Sequence, residues 1–488
     1  MTTTGRILRD GATGIVVDLQ RAPVRSNLSF GPALAAMAAI EAGAAANLSE
    51  GRRVGHYWLR DPSRAPTPEI GRAIEASWAA IESIDASGLD TVLLVGIGGS
   101  ALGPELVFDA LGAPSGRRLV VLDTVDSAGV QRKLDSVTPS KTLVIVASKS
   151  GSTSETLTGL EAVEARYREA GVPFDEHAVA ITMAGTPLAH RASTWRATIP
   201  LWPWVGGRTS ITSAIGLLPM HLLGLDTRAF LSGASAMDAW TRRVPEANPA
   251  AQLAALWATP EVHTAAFFPY ADALRFLGRY AQQLVMESLG KTHDRQGAEV
   301  RTGLTVVGNK GSADQHALIQ QLRAGPRGVA CQFISATQAR PPSPELQAAS
   351  DLQFSLMSGT QHALAEVGQP VVSIHLPSLN EASLGALIAL LERAVGLTAE
   401  LLDINAYDQP GVEAGKVEAR NQLQLVGLVE TALTASPCSA RDIASRMGLE
   451  PATVWRICSH LEGQGRAIRE VATAPVDDLF SSRSAAKV

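Results

Sequence analysis

The stretch Val144–Leu157, VIVASKSGSTSETL, decides how the rest of the chain is read. Its β-branched apolar start (Val144, Ile145, Val146) predicts a buried parallel strand. Ser148-Lys149-Ser150-Gly151-Ser152-Thr153 is then the turn into a helix that opens at Ser154-Glu155-Thr156. A helix N-terminus carries unpaired backbone N–H groups and a partial positive charge, which suit an anion. Ser148, Ser150, Ser152 and Thr153 add hydroxyls at that spot, without the lysine spacing of a triphosphate loop, which suits a phosphate monoester. A serine-rich turn with helix caps is the competing reading of this stretch alone.

Alternating elements extend to both sides. Thr91–Ile97, Arg118–Asp123, Leu143–Ser148, Ala178–Met183 and Thr198–Val205 read as strands, with helices over Pro104–Leu111, Ala128–Val137 and Ser154–Ala170. This spacing implies βαβ units, a parallel sheet and helices on both faces. The pattern restarts with strands at His263–Tyr270, Leu304–Asn309, Gly328–Ser335 and Pro370–His375. Helices are expected over Ala271–Leu289, Ala313–Arg323, Pro344–Ala365 and Ser383–Thr398. The expected division is a helical N-terminal layer over 1–85 with no visible chemistry, α/β domains over 86–228 and 229–419, and a small helical module over 420–488.

That last module has a helix-turn-helix cadence in Ala440–Met447 and Pro451–Leu461, with Gly465–Val471 as a small wing. Between 420 and 488, eight Lys/Arg face seven Asp/Glu, and the would-be reading helix carries only Arg456 and His460. A nucleic-acid reader needs a basic face, so a packing module is the better reading.

The whole chain agrees with that. Its 488 residues are 46% hydrophobic and 18% charged with a net charge of −5, so no field draws it to nucleic acid or an anionic membrane. Three scattered cysteines, Cys331, Cys438 and Cys458, make neither a disulfide framework nor a zinc pattern and fit a reducing compartment. The start MTTTGRILRD lacks a signal-peptide layout, and Ile211–Leu225 is broken as a membrane span by Pro219 and His221. A cytoplasmic protein is expected.

Several motifs can carry chemistry. Gly96-Ile97-Gly98-Gly99-Ser100-Ala101 between a strand and a helix, with Asp123 27 residues after Gly96, has the parts of a dinucleotide fingerprint. It equally lets a backbone approach a phosphate while Ser100 donates, and the hydroxyl-rich second loop favours that. In Gly206-Gly207-Arg208, two glycines permit a tight turn that aims a guanidinium inward. Glu287 beside Met286 is either a carboxylate with a task or an exposed partner of Lys291 at i+4. His316 near a helix start and Lys416 on a Pro/Gly turn have bland explanations if taken singly.

Their combination and order say more. GIGGSALGP (96–104), SKSGSTSET (148–156), GGRTS (206–210), QQLVMESLGK (282–291), DQHALIQ (314–320) and DQPGVEAGK (408–416) resemble the successive signatures of the glucose-6-phosphate isomerase family. The resemblance runs from about Thr91 to Lys416 and implies an α/β fold of two doubly wound parallel-sheet sugar-isomerase domains. It implies a homodimeric aldose–ketose isomerase with a phosphosugar substrate. It carries onto Glu287 the role of the base, onto Arg208 the stabilisation of a cis-enediolate, and onto His316 and Lys416 ring opening, His316 coming from the partner subunit. Gly99, Ser100, Ser148, Lys149, Ser150, Gly151, Ser152 and Thr153 would hold the phosphate, and Gln283 and Gln409 would line the site. Such chemistry needs one base, a cation for the oxyanion and acid–base help at the ring oxygen. It calls for no cofactor and no metal, and no His/Asp/Glu cluster has metal-ligand spacing. The chain departs from the family pattern at Leu289, Ser312–Asp314 and Pro410, all neighbours of the proposed catalytic groups.

Overall fold

The computed structural model describes residues 7–22, 29–47, 49–337 and 343–483. Residues 1–6 of the N-terminal stretch and Lys487 of the tail lie outside them. The chain divides into two compact units, Met1–Asp408 and Gln409–Val488.

The first unit holds two sheets. One is wholly parallel, with strands in the order Arg118–Leu122, Thr91–Val95, Thr142–Ala147, Ala178–Thr182, Ala197–Pro200. Thr91–Val95 and Thr142–Ala147 are buried at every residue, as central strands covered on both faces must be, and pair in the register Thr91↔Thr142 to Val95↔Val146. This order makes the edge between those two strands the topological switch point, where ligands sit beyond the strands' C-terminal ends.

The second sheet runs Ile7–Arg9, Val16–Arg21, Val371–Leu376, Val329–Ala336, Thr264–Pro269, Thr305–Val307. Its last four strands are parallel, and the N-terminal hairpin adds an antiparallel edge. The N-terminal layer is therefore not purely helical. Ile15, Val17 and Leu19 are buried alternately with more exposed neighbours, a period of two that fits a strand with one covered face.

Helix Glu381–Leu401 is the central helix, buried continuously from Ser383 to Ala399. It is long and apolar enough to cross a bilayer by length and composition, yet the protein itself covers 94% of that window. It packs on helices Thr227–Trp240 and Pro249–Trp257. Inside this layer Arg60 bonds Asp238 at 2.6 Å and also bonds Glu392. Arg393 bonds Asp238 at 2.9 Å and also Glu41, which Arg242 meets at 2.7 Å. Three cations face three carboxylates, so the buried charges balance.

The second unit consists of helices Pro410–Ala432, Ala440–Met447 and Pro451–Gly463 and a small sheet in the order Cys438–Ser439, Leu479–Ser482, Ala467–Glu470. Val429, Ile443, Val454, Leu461 and Phe480 form its own core. Helices Ala440–Met447 and Pro451–Gly463 stand where the helix pair was expected, and strand Ala467–Glu470 where the wing was. Asp478 ties the wing to helix Pro451–Gly463, accepting from Trp455 Nε1 at 2.9 Å and Arg469 Nη2 at 2.6 Å.

Candidate active site

The two switch-point loops lie side by side. Gly96–Ala101 leaves strand Thr91–Val95, and Ser148–Thr153 leaves strand Thr142–Ala147 for the helix Ser154–Glu169. In the second loop Ser148 Oγ and Thr153 Oγ1 are 3.1 Å apart, and Ser152 donates its N–H to Ser150 Oγ at 3.3 Å. Ser150 and Ser152 are exposed, so their hydroxyls are open to a ligand. Gly151 has φ +65° and rests against Thr186, where a Cβ would lie 2.7 Å from Thr186 Cβ. Lys149 turns away from this opening and donates to Pro203 O at 2.7 Å and Val205 O at 2.8 Å. Burial lowers its pKa to about 8.

The glycine loop meets the third loop backbone to backbone. A Cβ on Gly99 would sit 2.1 Å from Gly207 O, and Ser210 Oγ donates to Gly99 O at 3.2 Å. Gly99 thus serves contact with Gly206-Gly207-Arg208. Asp123, the ribose acid of the dinucleotide alternative, is held by Lys133 Nζ at 2.7 Å.

Arg208, buried, is the hub. Nε donates to Ser288 Oγ at 2.8 Å, Nη1 to Glu287 Oε2 at 3.1 Å, and Nη2 to Ala406 O at 2.6 Å and Asp408 O at 2.9 Å. Burial lowers its pKa, with Glu287 opposing, but an arginine starts high enough to stay charged. Gln283 Nε2 donates to Glu287 Oε1 at 3.3 Å, and a Cβ on Gly98 would lie 3.1 Å from that amide nitrogen. Gly98, Gln283, Glu287 and Arg208 therefore share one place.

Glu287 reaches it through an irregular helix. The helix expected over Ala271–Leu289 is a short turn at Asp272–Leu274, α-helix over Leu277–Ala281, a π turn over Gln282–Met286 and α-helix again from Glu287. A π turn inserts one residue and re-aims those after it by about 100°. The bland partner for Glu287 is not used: Lys291 Nζ donates to Glu287 O at 2.6 Å and Asp408 O at 2.9 Å, and the Glu287 carboxylate pairs with Arg208.

The N-terminal segment contributes where no chemistry was expected. Asn47 Nδ2 and Arg52 Nη2 donate to Tyr407 O at 2.9 and 3.0 Å, and Ser49 Oγ to Asp408 Oδ2 at 2.6 Å. Three successive carbonyls, Ala406 to Asp408, thereby collect Arg208, Asn47, Arg52 and Lys291. His56, buried beside Tyr57 and Tyr407, has no hydrogen-bond partner for either ring nitrogen among the described residues. Burial, then Arg60 and Arg393, hold its pKa well below the usual range, so it is neutral. Backbone acceptors and a histidine outside any motif leave no signal in sequence.

Of the other predicted residues, His316 lies outside this cluster and two more belong to the second unit. His316 is exposed in the turn between helices Gly311–Asp314 and Ile319–Ala324. Asp314 O braces that turn by accepting from Ala317 N at 3.1 Å and Leu318 N at 2.8 Å, and its Oδ2 accepts from Asn309 N at 2.6 Å and Lys310 N at 3.1 Å ahead of the first of these helices. Gln409 is the residue just before helix Pro410–Ala432, and Lys416 lies in that helix's second turn, both in the second unit.

A hydroxyl-bearing helix N-terminus at a switch point, and a buried arginine paired with a glutamate, define an α/β protein whose polar side chains gather where such folds take ligands. The sequence profile of the phosphoglucose isomerase family matches residues 33–365 and 343–430. Glucose-6-phosphate isomerase of Synechococcus sp. (strain JA-3-3Ab) is 46% identical over 476 residues, covering 90% of this chain and 88% of its own. That of Geobacter sulfurreducens is 41% identical over 516 residues, covering 98% of each, tail included. The crystal structure of a glucose-6-phosphate isomerase from Chlamydia trachomatis superposes with a TM-score of 0.78 at 25% identity, over 86% of this chain and 90% of that one. The chain belongs to the phosphoglucose isomerase family and is an isomerase.

Proposed function

We propose that the protein interconverts glucose 6-phosphate and fructose 6-phosphate through a cis-enediolate. The carrying observation is the Glu287–Arg208 pair, 3.1 Å apart, beside the hydroxyl loop. Glu287 is the base that moves a proton between C1 and C2 of the opened sugar, and Arg208 balances charge on the oxygen of the enediolate. Ser148, Ser150, Ser152 and Thr153 hold the phosphate by their hydroxyls, with Lys149, Gly151, Gly99 and Ser100 shaping the two loops. Gln283 lines the site and steadies Glu287. Gln409 contacts the sugar, and Lys416 and His316 serve ring opening. In this reading the five-stranded sheet belongs to a sugar-isomerase domain over 86–228, and the four parallel strands of the second sheet to another over 229–419.

The working form in this reading is a cytoplasmic homodimer in which His316 serves the partner's site. Its solvent exposure supports this. So do the exposed Leu346, Leu352 and Phe354 on helix Pro344–Glu366, to which Gln315 Nε2 ties the His316 turn through Leu356 O at 3.2 Å.

The test is turnover of fructose 6-phosphate in D₂O followed by NMR. Glucose 6-phosphate bearing deuterium at C2 is the expected product. Absence of turnover, or hydrogen carried wholly from C1 of fructose 6-phosphate to C2 of the product, would sink the enediolate route through solvent-exchanging Glu287.

A further inference from the structure

We propose that Lys149 is a positioning residue: its ammonium is the strut that holds the Ser148–Thr153 loop at a set distance from the Gly206-Gly207-Arg208 loop, and it does not ligate the substrate phosphate. The placement rests on the phosphate-loop reading above.

Lys149 sits in the middle of the hydroxyl loop, where a cation would ordinarily be taken for a phosphate ligand. Its Nζ instead reaches Pro203 O at 2.7 Å and Val205 O at 2.8 Å. Between them, Trp204 O accepts from Gly55 N at 3.0 Å. All three carbonyls of this turn are therefore satisfied from outside it, two by one ammonium. The turn is stiffened further by Trp202 and Trp204, stacked at 4.9 Å and 8°, with Trp204 also packed on Trp58 at 5.2 Å. Val205 leads directly into Gly206-Gly207-Arg208, and Arg208 is bonded to Glu287. At its other end the strut is anchored by backbone, since Lys149 O accepts from Met183 N at 3.3 Å. One side chain thus links the loop that takes the phosphate to the loop that carries the oxyanion cation.

A phosphosugar has a fixed span from phosphorus to C1 and C2, so the separation of these loops sets whether the reacting carbons reach Glu287. A misplacement of about 1 Å costs on the order of 100-fold in rate. The hydroxyl loop keeps its own shape through the Ser148–Thr153 and Ser150–Ser152 contacts, so losing the strut should displace the loop without dismantling it.

The experiment compares the full-length protein with Lys149→Met and Lys149→Arg, measuring kcat, KM and competitive inhibition by inorganic phosphate. A strut predicts that Lys149→Met lowers kcat by about 30- to 100-fold with phosphate inhibition within about threefold. Lys149→Arg, which can still donate to two carbonyls, should recover most of the rate. A phosphate inhibition constant raised tenfold or more with kcat kept would make Lys149 a direct ligand and overturn the proposal. So would a methionine variant unchanged in both. If Lys149→Met does not fold, the same split is read on Lys149→Gln, which retains one carbonyl contact. Ser152→Ala separates the two readings: if it leaves phosphate inhibition unchanged, the phosphate-loop assignment itself has failed, whatever Lys149 does.

Discussion

Arg208 Nη1 lies 3.1 Å from Glu287 Oε2, and the same guanidinium is bonded to Ser288 Oγ, Ala406 O and Asp408 O. The pair joins the two halves of the first unit, Arg208 from a loop after the five-stranded sheet and Glu287 from the helix after strand Thr264–Pro269. Removing the charge of Glu287 while keeping its shape should lower kcat by about 10³-fold in Glu287→Gln. Phosphate inhibition should stay within about threefold, because the hydroxyl loop is untouched. Steady-state kinetics with phosphate as inhibitor decide it, and a variant at more than a tenth of wild-type kcat would remove Glu287 from the mechanism.

Gly99 is set by contact. A methyl group there would meet Gly207 O at 2.1 Å, so the two loops must part. Gly99→Ala should therefore cost about 100-fold or more in kcat/KM while the far-UV circular dichroism stays that of the wild type. Kinetics near wild type would mean that the loop junction does not set the site.

Whether His316 acts across a dimer can be read from complementation. Glu287→Gln and His316→Ala homodimers, each nearly inactive, are mixed, unfolded and refolded. If His316 serves the partner's site, each mixed dimer has one intact site, and about a quarter of wild-type activity should return. If it serves its own subunit, every site stays defective and no activity returns.

Lys291 gives a pH signature. Burial first, then Arg208, lowers its pKa to about 8. An unfolded chain keeps that proton to about 10.4, so between the two values the unfolded state binds more protons and stability rises with pH. The contribution is lost as pH falls through about 8. In urea titrations at pH 7 to 10.5, Lys291→Met should flatten this rise by up to roughly 3 kcal/mol. An unaltered slope would mean that Lys291 titrates normally.

The buried network offers a stability test. Glu392→Leu leaves the buried Arg60 with Asp238, which Arg393 already shares. A loss of about 3–5 kcal/mol is expected. The double replacement Arg60→Met with Glu392→Leu should regain most of it, because no uncompensated charge remains. Thermal melts of the wild type and both variants suffice, and a Glu392→Leu variant as stable as the wild type would contradict the account.

The sequence by itself determined the first sheet closely. Continuous apolar runs such as Thr142–Ala147 have one use, as central parallel strands, and glycine- or serine-rich turns after them mark the loops at the ligand end. The order of short motifs likewise singled out Arg208, Gln283 and Glu287, which the structure brings together. The N-terminal strand Val16–Arg21 was written in a period of two but hidden in an alanine-rich context. Other features were written nowhere local. The π turn at Gln282–Met286 leaves the sequence looking like any apolar helix, yet it aims Glu287. Lys149 and Lys291 read as a phosphate cation and a surface partner, and both donate to carbonyls tens of residues or more away. Asn47 and Arg52 likewise meet Tyr407 O across the chain. Side-chain type is a local property and can be read from order and spacing. Which carbonyl a buried cation reaches depends on how distant backbone segments pack, and only the tertiary structure decides that.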